Sequence, residues 1–448
     1  MRITIAIHGF PPTFAAGAEL RSSRMANWLL SKGHEVRVIC VEALDHPGEF
    51  TFVDDEWAGI PVRRLFFNFE KAPSELRWHF FNPWIGEQVE QYLLKFNSQV
   101  MHLISGYLMS ASTLKAAQKL DIPTIVTLTD FWFLCPRITL WRSNDSLCDG
   151  PEGALKCVRC LQESHRRYRL PMRVAPKLAN YAWRWLEKYP AVGRGLDLPN
   201  KLAAIKERQS VLQEALNSVD VVICPSRFLR KVFIQNGVNP SRLVFARQGV
   251  DLSEKDLPRR RDDRRKLRIG YMGQLAKHKG VHVLFRAFQQ VKSGDPVPEL
   301  YVYGDLGQFP KYVSQLNHLR KDNERIILAG RFERHRLWQV LADLDVIVVP
   351  SIWYENSPNT ILEAFAAKVP VVASNLGGMA ELVEHKVNGL LFTAGDANDL
   401  ANQLQQLVDN RELLPQLRAG IRPVRSIEEE MQNLIRIYAG AFKGNEKD

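Results

Sequence analysis

The chain has 448 residues, 46% hydrophobic and 24% charged, an ordinary globular composition with length enough for two domains, each burying a full core. No apolar run approaches the ~20 residues of a membrane span, and the short run in MRITIAIHGFPP reads as a first strand rather than a signal peptide, so the cytoplasm is the default expectation. The net charge of +11, from 60 basic and 49 acidic residues, asks for an anionic partner, but no zinc-finger, RRM or KH pattern is present and no nucleic acid is expected.

In chain order, residues 3–7 form a buried-strand run ended by Gly9 and Pro11-Pro12. A loop reaches Gly17-Ala18-Glu19 and opens a helix with Leu20, Met25, Trp28 and Leu29 inward, and residues 36–41 make the next strand. Such a small-residue turn suits a phosphate or sugar, although any α/β domain has similar turns. Residues 100–104 and 123–128 continue a parallel sheet.

A cysteine-rich loop, 135–160, follows. Cys135, Cys148, Cys157 and Cys160 are separated by twelve, eight and two residues. In a cytosolic chain this suggests a structural metal, as zinc in a closed thiolate site or an iron–sulfur cluster, with two disulfides or free thiols as the other readings. Cys40 and Cys224 lie in apolar runs and are expected in the core. The insertion 165–208 is basic and aromatic around YRLPMRVAPKLANYAWRWLEKYPA. It suits peripheral contact with an anionic membrane, or else an amphipathic helix packed on its own domain. Pro171, Pro176 and Pro190 limit that helix to about residues 177–189.

Strands at 219–223 and 243–246, with a helix at about 227–235 between them, complete a first domain, 1–251, that closes on Gln248-Gly249-Val250-Asp251. A charged linker spans 252–266, and a second domain spans 267–424. That domain opens with a strand at 267–272, then Gly273-Gln274 and Lys277-His278-Lys279-Gly280 before a helix from about Val281. A glycine turn beside a lysine at a helix start suits a diphosphate. Strands at 300–303 and 326–328 follow. The last helix, 425–443, opens on a capping box of Ser426 and Glu429, with Met431, Leu434, Ile435 and Tyr438 at helical spacing.

The most informative stretch is 346–378, VIVVPSIWYENSPNTILEAFAAKVPVVASNLGG. It predicts strand, polar loop, helix, strand, with Ser357 as N-cap and Pro358 at the first helical position. Free amides at that helix start attract anions. Glu355 precedes the helix, and Glu363 lies about 9 Å along it from the cap, at about 1.5 Å per residue. One carboxylate could hold one end of a ligand and the second the other end. The plainer reading makes both ordinary acids near a helix start.

Glu355 and Glu363, with Pro350-Ser351 before them and VPVVASNLGGMAELV after, resemble the nucleotide-sugar site of family-four retaining glycosyltransferases. Similar cysteine patterns occur in a subset of that family. The resemblance implies two facing doubly wound, Rossmann-like α/β domains with an interdomain cleft, the GT-B architecture, and a last helix crossing back to the first domain. It implies transfer of a sugar from a nucleotide-sugar donor to the hydroxyl of a saccharide or lipid-linked acceptor, with retention and without a catalytic divalent metal. Lys279 would hold the diphosphate, Glu363 the ribose hydroxyls and Glu355 the donor sugar, with Gly273, Gln274, Asn359 and Thr360 lining the donor. Gly17 and Asp130 would serve the acceptor side. The chain departs from the family pattern at Ala16 (a glycine in the family), Thr129 (histidine), Gln248 (asparagine) and Gln274 (arginine), whereas His102 matches. Gln274 removes a cation unless Lys277, Arg247 or Arg331 replaces it. A catalytically weak sugar-nucleotide-binding protein and an anionic-surface or nucleic-acid-binding protein are the alternatives.

Overall fold

The computed structural model describes residues 1–14, 17–43, 50–73, 75–163, 170, 174–189, 197–252 and 266–444. Ala16 and nearly all of the expected 252–266 linker therefore lie outside the described residues, as do 165–169, 171–173 and 190–196 of the basic insertion. The chain divides into two compact units, 1–225 with 230–246 and 431–448, and 226–229 with 247–430.

The first unit holds β1 (Arg2–Ile7), β2 (Glu35–Ala43), β3 (Thr51–Trp57), β4 (Ile60–Phe66), β5 (Val100–Ile104), β6 (Thr124–Thr127), β7 (Val221–Cys224) and β8 (Leu243–Phe245). Their order is β3-β4-β2-β1-β5-β6-β7-β8, parallel throughout except for β3 against β4. The central strands are continuous apolar runs because both faces are covered: residues 3–7 of β1 and all of β5 are buried. Cys40 and Cys224 are fully buried there, as expected.

The β3–β4 hairpin was not legible in the sequence. Most of β3 is exposed, and its acids face arginines of β4, Asp54 to Arg63 and Asp55 to Arg64 at 2.7 Å each. Cross-strand ion pairs replace the apolar alternation that would have marked it. The turn is carried by Ala58 and Gly59, both at positive φ.

The capping box forms as expected: Ser426 Oγ accepts from the Glu429 amide at 3.2 Å, and Glu429 Oε2 accepts from the Ser426 amide at 2.7 Å. From Met431 onward this helix belongs to the first unit, where the Tyr438 hydroxyl meets His102 Nδ1 at 2.8 Å. His102 Nε2 meets Thr127 Oγ1, and burial pushes the imidazole down to about 3. His102 is thus a neutral strut inside the sheet.

The second unit holds β9 (Lys266–Met272), β10 (Val297–Tyr303), β11 (Ile326–Gly330), β12 (Val346–Val349), β13 (Val371–Ser374) and β14 (Gly389–Phe392). Their order is β11-β10-β9-β12-β13-β14, all parallel. The order reverses between β9 and β12, so the loops leaving those two strands open side by side. In doubly wound sheets that switch point is where ligands bind. Gln248, Gly249 and Val250 fall in this unit, not at the end of the first. The Gly249 amide donates to Glu430 Oε2 at 2.7 Å, and Val250 bridges Ser426, which ties them to its far end.

Candidate functional site

The loops after β9 and β12 are joined directly. The Ile352 amide donates to the His278 carbonyl at 2.9 Å. Gly280 closes the Lys277–Lys279 turn at φ +73, where an added Cβ would sit 1.8 Å from the Pro350 carbonyl oxygen. Both the backbone angle and the space require glycine. Gly280→Ala is expected to cost on the order of 2–4 kcal/mol and to displace Lys279. Chemical denaturation and ligand affinity, measured on the same preparation, check both effects. Gly378 seals the other side: its amide donates to the Glu355 carbonyl at 2.8 Å, and a Cβ there would meet the Asn356 carbonyl oxygen at 1.8 Å.

Within this frame Glu355 Oε1 accepts three bonds, from Lys279 Nζ at 2.7 Å, Ser351 Oγ at 2.8 Å and Trp353 Nε1 at 2.8 Å. Burial alone would raise its pKa. The Lys279 charge and the three donors outweigh that and hold the carboxyl below its usual range. Its Oε2 accepts from none of the described residues. Lys279 lies 5.0 Å from the Trp353 ring centroid, and its single side-chain hydrogen bond leaves two N–H donors for a ligand. The site thus presents one carboxylate oxygen and one ammonium, both held from behind.

The His278 ring packs 4.3 Å from Trp353, and burial, then the Lys279 charge, push its pKa down from 6.5 to about 4. The folded state resists protonating it, so stability present above pH 6.5 is lost as pH falls towards 4. The loss should reach about 3 kcal/mol near pH 4 and shrink in His278→Gln, as read from urea midpoints across that window.

The helix after β12 begins one residue later than expected. Pro358 is the N-cap with extended ψ, Asn359–Ala366 is the helix, and Ser357 does not cap it. Gln248 Nε2 donates to both the Ser357 carbonyl and Asn359 Oδ1, on either side of the extended Pro358. Ser357 Oγ is left buried without a partner among the described residues. Glu363 therefore lies about 7.5 Å along the helix from its cap. The amides of Asn359 and Thr360 open the helix. Glu363 is buried, and its Oε1 accepts from Arg334 Nη2 at 2.6 Å.

Gly273 and Gln274 follow β9 and are exposed; the Gln274 carbonyl accepts from the Tyr271 hydroxyl at 2.6 Å. Of the cations that could compensate for Gln274, Arg247 is paired with Glu381, and Arg331 stands 4.0 Å from Asp305. Trp353 and Arg334 were not singled out from sequence, and Ser351 and His278 entered only as parts of motifs, with no role given to them. Ser351 and Trp353 flank Glu355 closely enough to have been candidates.

Gly17 and Asp130 are in the first unit. Gly17 opens the helix Gly17–Ser31. Asp130 Oδ2 accepts from Ser105 Oγ at 2.7 Å and Thr129 Oγ1 at 3.2 Å, and its Oδ1 accepts from the Trp132 amide at 2.8 Å. Thr129, the departure from histidine, thus orients Asp130.

No cysteine is in a disulfide. The CxxC pair lies one turn apart on the helix Ala154–Gln162, and burial, then the neighbouring Cys135 and Cys148, push the Cys157 thiol up to about 12. Among the described residues no group of three or more His, Cys, Asp or Glu is arranged to hold a metal ion. Arg208 is buried beside these thiols, and its Nη1 has no hydrogen-bond partner among the described residues. No helix among the described residues is long and apolar enough to cross a membrane.

Residues 15–254 match the family model "Glycosyltransferase Family 4", and residues 253–422 match "Glycosyl transferases group 1". The amylovoran biosynthesis glycosyltransferase AmsK of Erwinia amylovora is 29% identical over 192 residues, 41% of this chain and 46% of that protein. In the first curated relatives the matched stretch covers 39% to 46% of their length. Among solved structures, Anabaena HepE in complex with UDP is similar at a TM-score of 0.66 and 17% identity, covering 98% of this chain and 100% of that one. Sucrose-phosphate synthase from Thermosynechococcus elongatus is similar at 0.65 and 17%, covering 99% and 100%. Both likenesses support a GT-B fold of two Rossmann-like domains.

Proposed function

This chain belongs to glycosyltransferase family 4, and on that premise we propose that it moves a sugar from a nucleotide-sugar to a hydroxyl of a saccharide or lipid-linked acceptor, with retention. The observation that carries the reading is Glu355 at the switch point, with Oε1 saturated by Lys279, Ser351 and Trp353 while Oε2 is left to accept from a ligand. A neighbour of the same fold was solved with UDP-glucose, which agrees with a nucleotide-sugar donor.

In this reading Lys279 and the Asn359 and Thr360 amides stabilise the charge that develops on the departing diphosphate. Glu355 Oε2 orients donor-sugar hydroxyls. Glu363, steadied by Arg334, accepts from the ribose. The leaving phosphate takes the acceptor proton, so no dedicated base is required. Gly17 and Asp130 are assigned to the acceptor on the family resemblance alone.

The exposed, neutral Gln274 favours one other reading, a sugar-nucleotide-binding protein with little turnover. Incubation with UDP-, GDP- and ADP-hexoses together with a panel of saccharide and lipid-linked acceptors, followed by NMR of the product, separates the two. Release of one nucleoside diphosphate with the anomeric configuration retained is expected. Tight binding without release would overturn the transferase reading.

The cysteine loop is proposed as a structural metal site. Four soft donors suit zinc or an iron–sulfur cluster, and metal thiolates would balance the buried charge of Arg208. As arranged, the sulfurs do not form a closed cage, so binding would draw them together. Elemental analysis should find metal in purified chain and lose it in Cys157→Ser, with a lower Tm; metal-free wild-type protein of unchanged Tm would end the idea.

A further inference from the structure

The helix Pro176–Lys188 faces two ways. Trp183 points inward and is only 7% exposed, packed with Cys157, Val158, Leu198 and Ile205. On another face Leu178, Tyr181, Trp185 and Tyr189 stand between 43% and 73% exposed, at steps of three, four and four residues. Ahead of the helix, Leu170 and Val174 are also more than 60% exposed. Single exposed apolar residues are common on protein surfaces, but four at one helical spacing are not. Folding buries Trp183 and leaves this row in water.

The row is bordered by charge of one sign. Lys177, Arg184 and Lys188 are exposed, each one residue before a member of the apolar row. Lys188 lies 5.7 Å from the Tyr189 ring centroid, and Trp185 and Tyr189 pack at 5.2 Å. In sequence, residues 165–188 carry seven lysines and arginines against Glu187 alone. A second copy of this face would bring like charges together, which argues against self-pairing. Aromatic residues at headgroup depth, aliphatic residues below them and cations beside them match the chemistry of an anionic bilayer surface.

We propose that the face formed by Leu178, Tyr181, Trp185 and Tyr189, with Lys177, Arg184 and Lys188 beside it, docks the protein on an anionic membrane surface. This holds whichever sugar is transferred. The helix lies in the interface without crossing it, anchored to its domain by Trp183.

The test is co-sedimentation of the full chain with phosphatidylcholine vesicles, with and without 30% phosphatidylglycerol (on the order of typical anionic-lipid assays). Binding should be at least about tenfold tighter to the anionic vesicles and weaken as salt rises. The double variant Leu178→Glu/Trp185→Glu should lose binding about tenfold or more, and Lys177→Glu/Arg184→Glu/Lys188→Glu should lose the preference for anionic lipid. Unchanged stabilisation by UDP or another nucleotide, or an unchanged far-UV spectrum, shows that both variants are folded. Equal binding to both vesicles, or binding that survives both variants, would overturn the proposal. So would a concentration-dependent dimer abolished by Leu178→Glu/Trp185→Glu, which would make the face a self-association surface.

Discussion

Lys279→Ala should lower kcat by about 10²–10³-fold, the loss typical when one preorganised group facing a developing negative charge is removed. Two effects combine. The leaving diphosphate loses its ammonium, and Glu355 loses the charge that keeps it ionised. With Lys279 gone, Ser351 and Trp353 still donate to Glu355 Oε1. Burial then dominates, and the carboxyl should titrate at higher pH than in the parent. The acidic limb of the pH–rate profile should therefore move towards neutrality. Lys279 and Glu355 are 22% and 13% exposed, so the stability cost should be about 1–3 kcal/mol, below that of a fully buried pair. A variant with near-normal kcat would show that another cation carries the diphosphate. Lys279→Arg is not expected to rescue fully, because a planar fork does not replace a point charge between Glu355 and the Trp353 ring.

Glu355→Gln should separate sugar recognition from diphosphate recognition. The amide keeps the shape of the side chain but removes the anion that Lys279, Ser351 and Trp353 surround. The expected result is a loss of about 10²-fold in kcat/KM with the nucleotide-sugar. Affinity for the free nucleoside diphosphate should hold or rise, because Lys279 no longer shares its charge with Glu355. If both affinities fall together, Glu355 acts only as scaffolding for the loop. Calorimetry with the diphosphate and the intact donor gives both numbers for one preparation.

The sheets were legible because parallel strands buried on both faces leave unbroken apolar runs, as in residues 3–7 and 346–349. The β3–β4 hairpin was not, since its cohesion comes from the Asp54–Arg63 and Asp55–Arg64 pairs rather than from a patterned face. At the candidate site, Lys279 and the two glutamates were singled out by a glycine turn, a helix start and the family resemblance. Arg334 was not, because it reaches Glu363 from the loop after β11, and no local pattern encodes that approach. Ser357 failed as a cap for a similar reason. Gln248, distant in sequence, holds the Ser357 carbonyl and the Asn359 side chain, contacts that no local pattern announces. Gly280 was expected as part of a phosphate turn, and its close approach to Pro350 adds a second reason for glycine there.

The most direct test is thermal stability against UDP, GDP, ADP and their hexose conjugates, for the parent chain and for Glu363→Ala. At 100-fold over the dissociation constant, a bound ligand should add about 2.7 kcal/mol. Stabilisation by one nucleotide and its conjugate is expected, lost or strongly reduced in Glu363→Ala. Stabilisation by none of them, or an equal shift in Glu363→Ala, would contradict the assignment of a nucleotide-sugar to the β9–β12 switch point.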